Sequence, residues 1–155
     1  FIFVPIMSKF QSKDPDFEQK IRNRLSGQHF MNLMGFDLTS IKAGEVTGEM
    51  NLAQKHLQQY GFVHGGVTAT ILDITMGFAA YSLMPLGKGV VTANISVDYL
   101  NPGSGDKIIA IGEVEKPGSK MVFCTGKVYT EKDGVLTLIA SARSVMAVID
   151  AAIDL

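Results

Sequence analysis

The feature that most constrains this chain is a long apolar stretch, residues 58–84, that opens with a glycine-rich turn. Between Gly65 and Met84 it carries a single charge, Asp73, and no proline interrupts it before Pro85. Its length and content predict a buried helix of about five to six turns. We expect the rest of the chain to fold around this helix.

Two stripes recur along the predicted helix at spacings of three and four residues. One is bulky and apolar and is predicted to pack on a sheet: Val67, Ile71, Ile74, Phe78 and Tyr81. The other consists of small residues around one carboxylate: Gly66, Thr70, Asp73, Gly77 and Ala80. Because a buried carboxylate loses hydration, Asp73 either meets water or a hydrogen-bond donor, or has a functional role.

The turn that enters this helix, residues 60–66, contains three glycines and His64. Backbone N–H groups at a helix start are unpaired and the helix dipole is positive there, so this end can hold a developing oxyanion. A carboxylate two to three turns further along can act on the same bound group, particularly when a neighbouring subunit supplies it.

The spacing of these residues resembles the active-site signature of hotdog-fold acyl-CoA thioesterases. The run H-x-Q-x-x-G-x-x-H-G-G-x6-D is formed by His56, Gln58, Gly61, His64, Gly65, Gly66 and Asp73. The likeness covers residues 35–148, is strengthened by the sequence Tyr-Leu-Asn-Pro at 99–102, and indicates the branch of phenylacetate-pathway thioesterases and their animal mitochondrial relatives. Many members of the family have Asn where this chain has Gln58, and a bacterial aryl-CoA thioesterase subgroup pairs Gln with Glu. This chain pairs Gln58 with Asp73, so the resemblance assigns no acyl group.

The resemblance implies thioester hydrolysis. The N–H of Gly65 would bind the thioester carbonyl oxygen, and Gln58 would fix the thioester or the attacking water. Asp73, supplied by a partner subunit, would act as general base or attack directly as nucleophile. Thr92 falls where the family has a water-orienting hydroxyl, with an ordinary strand threonine as the alternative.

Other residues of the signature have supporting roles by the same resemblance. His64 would sit by the thioester as a positioning residue, Gly66 would allow close packing, and His56 would cap the preceding turn. The residues singled out for the nucleotide end of CoA lie in one turn: Lys116, Ser119 and Lys120. Residues 30–36, rich in Met and Phe, are predicted to line a pocket for an aromatic or medium- to long-chain acyl group, with packing in the core as the alternative.

These roles set the expected partners. CoA belongs to the substrate, so no separate cofactor and no metal are expected. A site shared between subunits requires at least a homodimer, and the family commonly forms a homotetramer. Two other classes stay open: an acyl-thioester dehydratase and a non-catalytic acyl-CoA-binding protein.

Composition excludes several further classes. The net charge is −1, and without a basic run nothing indicates a nucleic-acid partner. The single cysteine, Cys124, excludes a disulfide framework and favours a reducing, cytoplasmic setting. Three histidines without paired cysteines do not predict a zinc site. Residues 1–6 are apolar but lack a basic leader, so we expect neither a signal peptide nor a membrane span.

The predicted architecture is α+β, a hotdog fold in which a curved antiparallel sheet wraps the long helix. We expect one domain over residues 1–155, with an N-terminal extension (1–34) that includes a short polar helix and a hotdog core (35–149). Strands are predicted at 36–41, 45–52, 91–102, 106–115, 121–130 and 135–149, with a hairpin at Asp133-Gly134. In the strand at 91–102, Val91 and Tyr99 are predicted on one face and Thr92 on the other.

Overall fold

The computed structural model describes residues 8–151, so the expectation for residues 1–6 lies outside the described residues. The elements follow in chain order: α1 (Phe17–Ser26), α2 (His29–Met34), β1 (Asp37–Lys42), β2 (Glu45–Asn51), a 3-10 turn (Gln54–His56), α3 (Gly65–Tyr81), β3 (Lys88–Tyr99), β4 (Lys107–Lys116), β5 (Met121–Lys132) and β6 (Val135–Asp150). The predicted α+β class is confirmed.

The six strands form one antiparallel sheet in the order β1-β2-β4-β5-β6-β3. Asp133 and Gly134 join β5 to β6 with φ of 51° and 78°, as a type I′ turn requires, which confirms the predicted hairpin. β3 follows α3 in the chain and is an edge strand of the sheet, next to β6. In the described part of the chain its outer edge pairs with no strand.

α3 lies against the sheet, and its buried face matches the predicted stripe only in part: Val67, Ile71 and Phe78 of that stripe are buried. Two sheet glycines make close contact possible: a Cβ on Gly112 would lie 2.4 Å from the carbonyl carbon of Thr75, and one on Gly126 would lie 2.8 Å from Leu72. The face towards the sheet therefore contains Leu72, Thr75 and Met76, while Ile74 and Tyr81 are only half-buried. The predicted face was only partly right, because Gly112 and Gly126 let the helix approach the sheet on a neighbouring face.

The ends of α3 and β3 differ from prediction by three residues. α3 stops at Tyr81 rather than at residue 84, and the next residue, Ser82, donates its hydroxyl to the carbonyl of Ala79 at 2.6 Å. β3 begins at Lys88 instead of 91 and ends at Tyr99 instead of 102. It ends there because the N–H groups of residues 100 and 101 both donate to the carbonyl of Ile139, which bends the chain away.

The segment 30–36, predicted to line an acyl pocket, divides between core and surface. Met31 and Phe36 are buried at 2% and 4% exposure, whereas Phe30 and Leu33 are exposed at 58% and 69%. The segment lines neither of the two cavities described below.

Candidate active site

A buried histidine fixes the loop that leads into α3. The ring of His56 accepts the N–H of Ala53 at Nδ1 (3.0 Å) and donates from Nε2 to the carbonyl of Met34 (2.8 Å). Its backbone oxygen accepts the N–H of His64 at 2.9 Å. Since an N–H only donates and a carbonyl only accepts, these partners require the neutral tautomer with the proton on Nε2. His56 thus caps the 3-10 turn and ties α2 to the start of α3.

His64 caps α3 with its own side chain. Its Nδ1 accepts the N–H of Gly66 at 2.9 Å, and its carbonyl accepts from Val67 and Thr68 at 3.0 and 3.2 Å. A Cβ on Gly66 would lie 3.1 Å from Nδ1, so the glycine makes room for the imidazole. The N–H of Gly65 has no acceptor in the described part of the chain. It is a free donor at the positive end of the helix.

Gln58 shares a cavity with this free donor. The cavity has a volume of about 380 Å³, and Gln58, Gly65 and Tyr99 are in its wall. The side-chain oxygen of Gln58 accepts the N–H of Tyr60. That bond assigns the oxygen and leaves the amide nitrogen, with its two hydrogens, as a donor. Two residues of this cavity wall therefore each have a neutral donor without an acceptor among the described residues, one on the backbone and one on a side chain.

Tyr99 holds the helix start in place, a role that the sequence did not indicate. Its hydroxyl donates to the carbonyl of Gly65 at 2.9 Å, and its ring would be 3.4 Å from a Cβ at that position. The two residues are 34 positions apart in the chain, so the contact follows only from the sheet register. The available sequence signal was the tetrapeptide at 99–102, which supported the family resemblance but did not predict this contact.

Asp73 lies in a second cavity, of about 660 Å³. It is half-buried, and its Oδ1 accepts a hydrogen bond of 2.6 Å from the hydroxyl of Thr92. The length is typical of a hydroxyl donating to a carboxylate. Thr92 also lies 3.4 Å from the sulfur of Met146, its strand neighbour on β6.

A β-bulge brings Thr92 to the helix side of β3. Thr92 pairs with Met146 and Asn94 with Val145, so Ala93 is an extra residue on β3. The predicted alternation fails there: Thr92 faces α3 together with Tyr99, and Val91 lies on the other face at 48% exposure. One extra residue reverses the face of everything before it, and a pattern with period two does not reveal it.

One chain does not bring the two halves of the site together. Gly65 and Asp73 are eight residues apart on α3, which at 1.5 Å per residue separates them by about 12 Å along the helix. They also line different cavities. A carbonyl oxygen held within hydrogen-bonding distance of Gly65 is therefore beyond the reach of the same chain's Asp73.

The predicted CoA-binding turn is exposed and lines neither cavity. Lys116 is the last residue of β4, and Ser119 and Lys120 follow in the turn before β5. The carbonyl of Lys120 accepts the N–H of Val148 on β6 at 2.8 Å. Because Val148 lies two residues beyond Met146, the turn is at the same end of the sheet as Thr92.

The thiol of the single cysteine is buried and therefore unreactive in this fold. Cys124 is 1% exposed, and burial raises the pKa of its thiol to about 12. Among residues 8–151, no group of three His, Cys, Asp or Glu side chains is placed to hold a metal ion. No helix in the same range is long and apolar enough to cross a membrane.

A long helix against a six-stranded antiparallel sheet, with free donors at its start and a carboxylate along it, defines the hotdog-fold class of thioester-binding proteins. The sequence model of the thioesterase superfamily matches residues 60–137, half of the chain. The chain belongs to this superfamily.

Named relatives and solved structures are consistent with this assignment. The chain is 26% identical to human acyl-coenzyme A thioesterase 13 over 136 residues, covering 85% of this chain and 94% of the relative. It is 40% identical over 83 residues to the acyl-coenzyme A thioesterase THEM4 of Xenopus laevis, covering 53% of this chain and 36% of that protein. The chain thus spans only about a third of this longer relative.

Among solved structures, a thioesterase family protein from Silicibacter pomeroyi superposes with a TM-score of 0.85 at 31% identity, covering 87% of this chain and 99% of that one. The PaaI protein from the phenylacetic acid degradation operon of E. coli has the same fold, with a TM-score of 0.77 at 20% identity, covering 89% and 96%. The predicted resemblance to hotdog-fold thioesterases is confirmed at the level of fold and superfamily.

Proposed function

We propose that the protein hydrolyses acyl-CoA thioesters to a free acid and CoA. The observation that carries this proposal is the half-buried carboxylate of Asp73, held by Thr92 in the wall of a cavity, in a chain of the thioesterase superfamily. A carboxylate fixed by a hydroxyl is suited to activating water or to attacking a carbonyl. The relatives named as acyl-coenzyme A thioesterases support the substrate class.

The donors at the start of α3 stabilise the negative charge of the reaction. As the tetrahedral intermediate forms, charge moves to the thioester carbonyl oxygen, where the N–H of Gly65 and the side-chain amide of Gln58 donate to it. One such donor typically contributes about 3–4 kcal/mol in the transition state. The cap bond from His64 and the contact from Tyr99 hold the Gly65 peptide in place before the substrate arrives.

Asp73 either activates the attacking water as a general base or is itself the nucleophile. As general base it takes a proton from water while the hydroxide adds to the carbonyl carbon; the C–S bond then breaks and the CoA sulfur leaves as the thiol after protonation. As nucleophile it attacks the carbonyl carbon, the C–S bond breaks and CoA leaves as the thiolate; water then hydrolyses the resulting anhydride to the free acid and the Asp73 carboxylate. In both routes Thr92 occupies one lone pair of Oδ1 and leaves Oδ2 for the reaction.

We further infer that the working unit is a homodimer in which Asp73 of one subunit faces Gly65 and Gln58 of the other, and that two dimers form a tetramer. The separation of about 12 Å along one helix supports a shared site. The outer edge of β3, unpaired in the described chain and beside Thr92, supports strand pairing between subunits.

The exposed turn with Lys116, Ser119 and Lys120 is proposed to bind the nucleotide phosphates of CoA, because two cations and a hydroxyl are available there. We expect no cofactor beyond the substrate. A cytoplasmic location is proposed from the single free thiol, and cell fractionation would test it.

A panel of acyl-CoA thioesters, from acetyl- to palmitoyl-CoA and including phenylacetyl- and malonyl-CoA, tests the activity by measuring released thiol. We expect turnover of apolar acyl groups and little turnover of malonyl-CoA. Tight binding of acyl-CoA without thiol release would replace the hydrolase with a binding protein. A preference for malonyl-CoA would contradict the proposed acyl class.

A further inference from the structure

A closed loop of backbone presents Gln58 just before α3. Leu57 forms a β-bridge with Val63, and inside it the N–H of Gln58 donates to the carbonyl of Phe62 at 2.8 Å. The carbonyl of Gln58 accepts the N–H of Gly61 at 2.9 Å, and Gly61 has a φ of 81°. This pattern is that of a three-residue hairpin loop that ends in a residue of left-handed conformation. Both backbone polar groups of Gln58 are thus bonded across the loop.

Both arms of this loop are fixed, and its tip is exposed. The N–H of Leu57 donates to the carbonyl of Gln54 at 3.1 Å, and that of Val63 donates to the carbonyl of Gly103 at 2.9 Å. At the tip, the side chain of Tyr60 is 76% exposed. Since the tip projects into solvent, its conformation depends on its own residues.

Gly61 is required by the backbone and not by packing. A left-handed φ is unfavourable for residues with a Cβ, most of all for β-branched ones, whereas asparagine adopts it more readily than others. A Cβ built on Gly61 would meet no heavy atom within 4 Å among the described residues. A side chain therefore fits at position 61, and its effect would be to strain the closed loop.

The loop also fixes the side chain of Gln58. The N–H that its side-chain oxygen accepts belongs to Tyr60, the residue before Gly61 in the tip. If the loop opened, this bond would be lost and the amide could turn over. Its oxygen could then face the thioester oxygen in place of its nitrogen, and an acceptor repels a developing oxyanion. The closed loop thus decides whether Gln58 donates.

We propose that Gly61 is a positioning residue for thioester hydrolysis. Its left-handed conformation closes the loop, and the N–H of Tyr60 then holds the oxygen of Gln58 so that only the amide nitrogen is presented to the thioester. The inference rests on the proposed thioesterase activity and adds to it a residue that acts through Gln58. Gly61 itself is not in the wall of the cavity that Gln58 shares with Gly65.

The first experiment compares Gly61→Val and Gly61→Asn with the unmodified protein on the best thioester of the panel. Valine strains the loop and should lower kcat/KM about 10-fold, whereas asparagine should stay within about threefold of the unmodified protein. Gly134→Val is the matched control. Gly134 has a φ of 78°, a Cβ built on it would meet no described heavy atom within 4 Å, and it lines neither cavity. The same backbone strain there should leave kcat/KM unchanged.

A double-mutant cycle separates positioning from a general effect on the loop. If Gly61 acts through the amide of Gln58, Gly61→Val should change kcat/KM by less than about twofold in the Gln58→Ala background. A loop that is merely disturbed would lose about 10-fold again in that background. A full additional loss, or an unchanged kcat/KM in Gly61→Val itself, would overturn the inference.

Amide hydrogen exchange, measured by NMR, tests the same step without substrate. The Tyr60 N–H should exchange several-fold faster in Gln58→Ala, which removes its acceptor, and in Gly61→Val, but not in Gly61→Asn. If the unmodified protein hydrolyses no thioester and these rates change as expected, the proposed activity fails and the positioning of Gln58 by Gly61 stands. Equal exchange of the Tyr60 N–H in Gly61→Val and the unmodified protein would overturn the inference whether or not hydrolysis is observed.

Discussion

The hydroxyl of Thr92 donates a 2.6 Å hydrogen bond to Oδ1 of Asp73 and joins the first part of β3 to the middle of α3. The bulge at Ala93 makes this contact possible, since it turns Thr92 towards the helix. A bulge bends and re-aims a strand, and bulges are common beside active sites. The carboxylate is thereby oriented before any substrate binds, with Oδ2 free of the threonine.

Replacing Asp73 with Asn should abolish most turnover and leave the fold intact. Asn keeps the size of the side chain but cannot accept a proton or attack a carbonyl, so we expect kcat to fall about 100-fold or more. Asp73 is half-buried, so relieving its charge should raise the melting temperature only slightly. The exposed Asp98 on β3 is the control, and Asp98→Asn should retain activity. Near-normal hydrolysis by Asp73→Asn would remove this carboxylate from the mechanism.

Thr92→Val tests the orienting hydroxyl separately from the carboxylate. Valine preserves shape and strand propensity but cannot donate to Asp73. A hydrogen bond to a charged group contributes about 1.5–3 kcal/mol, so we expect kcat to fall roughly 10- to 100-fold. Thr92→Ser should restore most of the rate because it returns the hydroxyl. Thr137→Val, at an exposed site on β6, is the matched control, and an equal loss there would mean a general effect on the sheet.

Gln58→Ala removes the side-chain donor at the other half of the site. The lost hydrogen bond in the transition state should lower kcat/KM about 10- to 100-fold, corresponding to about 1–3 kcal/mol. Its neighbour Gln59 is exposed, and Gln59→Ala serves as the control. If the two variants had the same kinetics, the proposed donor role of Gln58 would be wrong.

The pKa of Cys124 gives a pH prediction. Burial disfavours the thiolate and raises the pKa to about 12, so at pH 8 the group is almost entirely the unreactive thiol. Iodoacetamide at pH 8 should leave activity unchanged and label the protein only after unfolding in guanidinium chloride, as mass spectrometry would show. Inactivation of the folded protein with one label per chain would contradict the buried, protonated thiol.

Local patterns predicted the elements of this fold well. The run without breakers from Gly65 onwards indicated α3, and Asp133-Gly134 indicated the β5–β6 hairpin, because each depends on residues that are near one another in the chain. The buried face of α3 was predicted only in part, since it also depends on glycines more than 30 residues away, Gly112 and Gly126.

The candidate site was predictable in composition but not in arrangement. The signature singled out Gln58, Gly65 and Asp73, whose roles stay predictions. Thr92 lies on the helix side of β3 because of a bulge that only the pairing with β6 defines. The contact of Tyr99 with Gly65 depends on the same strand register. The hydrogen bond from the Tyr60 N–H to the side-chain oxygen of Gln58 could not be predicted from residue types, since a side-chain amide can both donate and accept.

Mixing two variants of low activity tests the shared site directly. In a two-fold symmetric dimer, a subunit with Gln58→Ala and one with Asp73→Asn together form one site with both defects and one intact site. Random re-pairing makes half of the dimers mixed, so about a quarter of the normal activity should return. Subunits would be exchanged in mild denaturant, and activity would be measured before and after exchange.

The control is a mixture of Thr92→Val with Asp73→Asn. These two residues are hydrogen-bonded within one chain and belong to the same site, so each site of a mixed dimer carries one defect. If the first mixture recovered no more activity than the control, or if sedimentation showed an active monomer, the assignment of Gly65 and Asp73 to different subunits would be wrong.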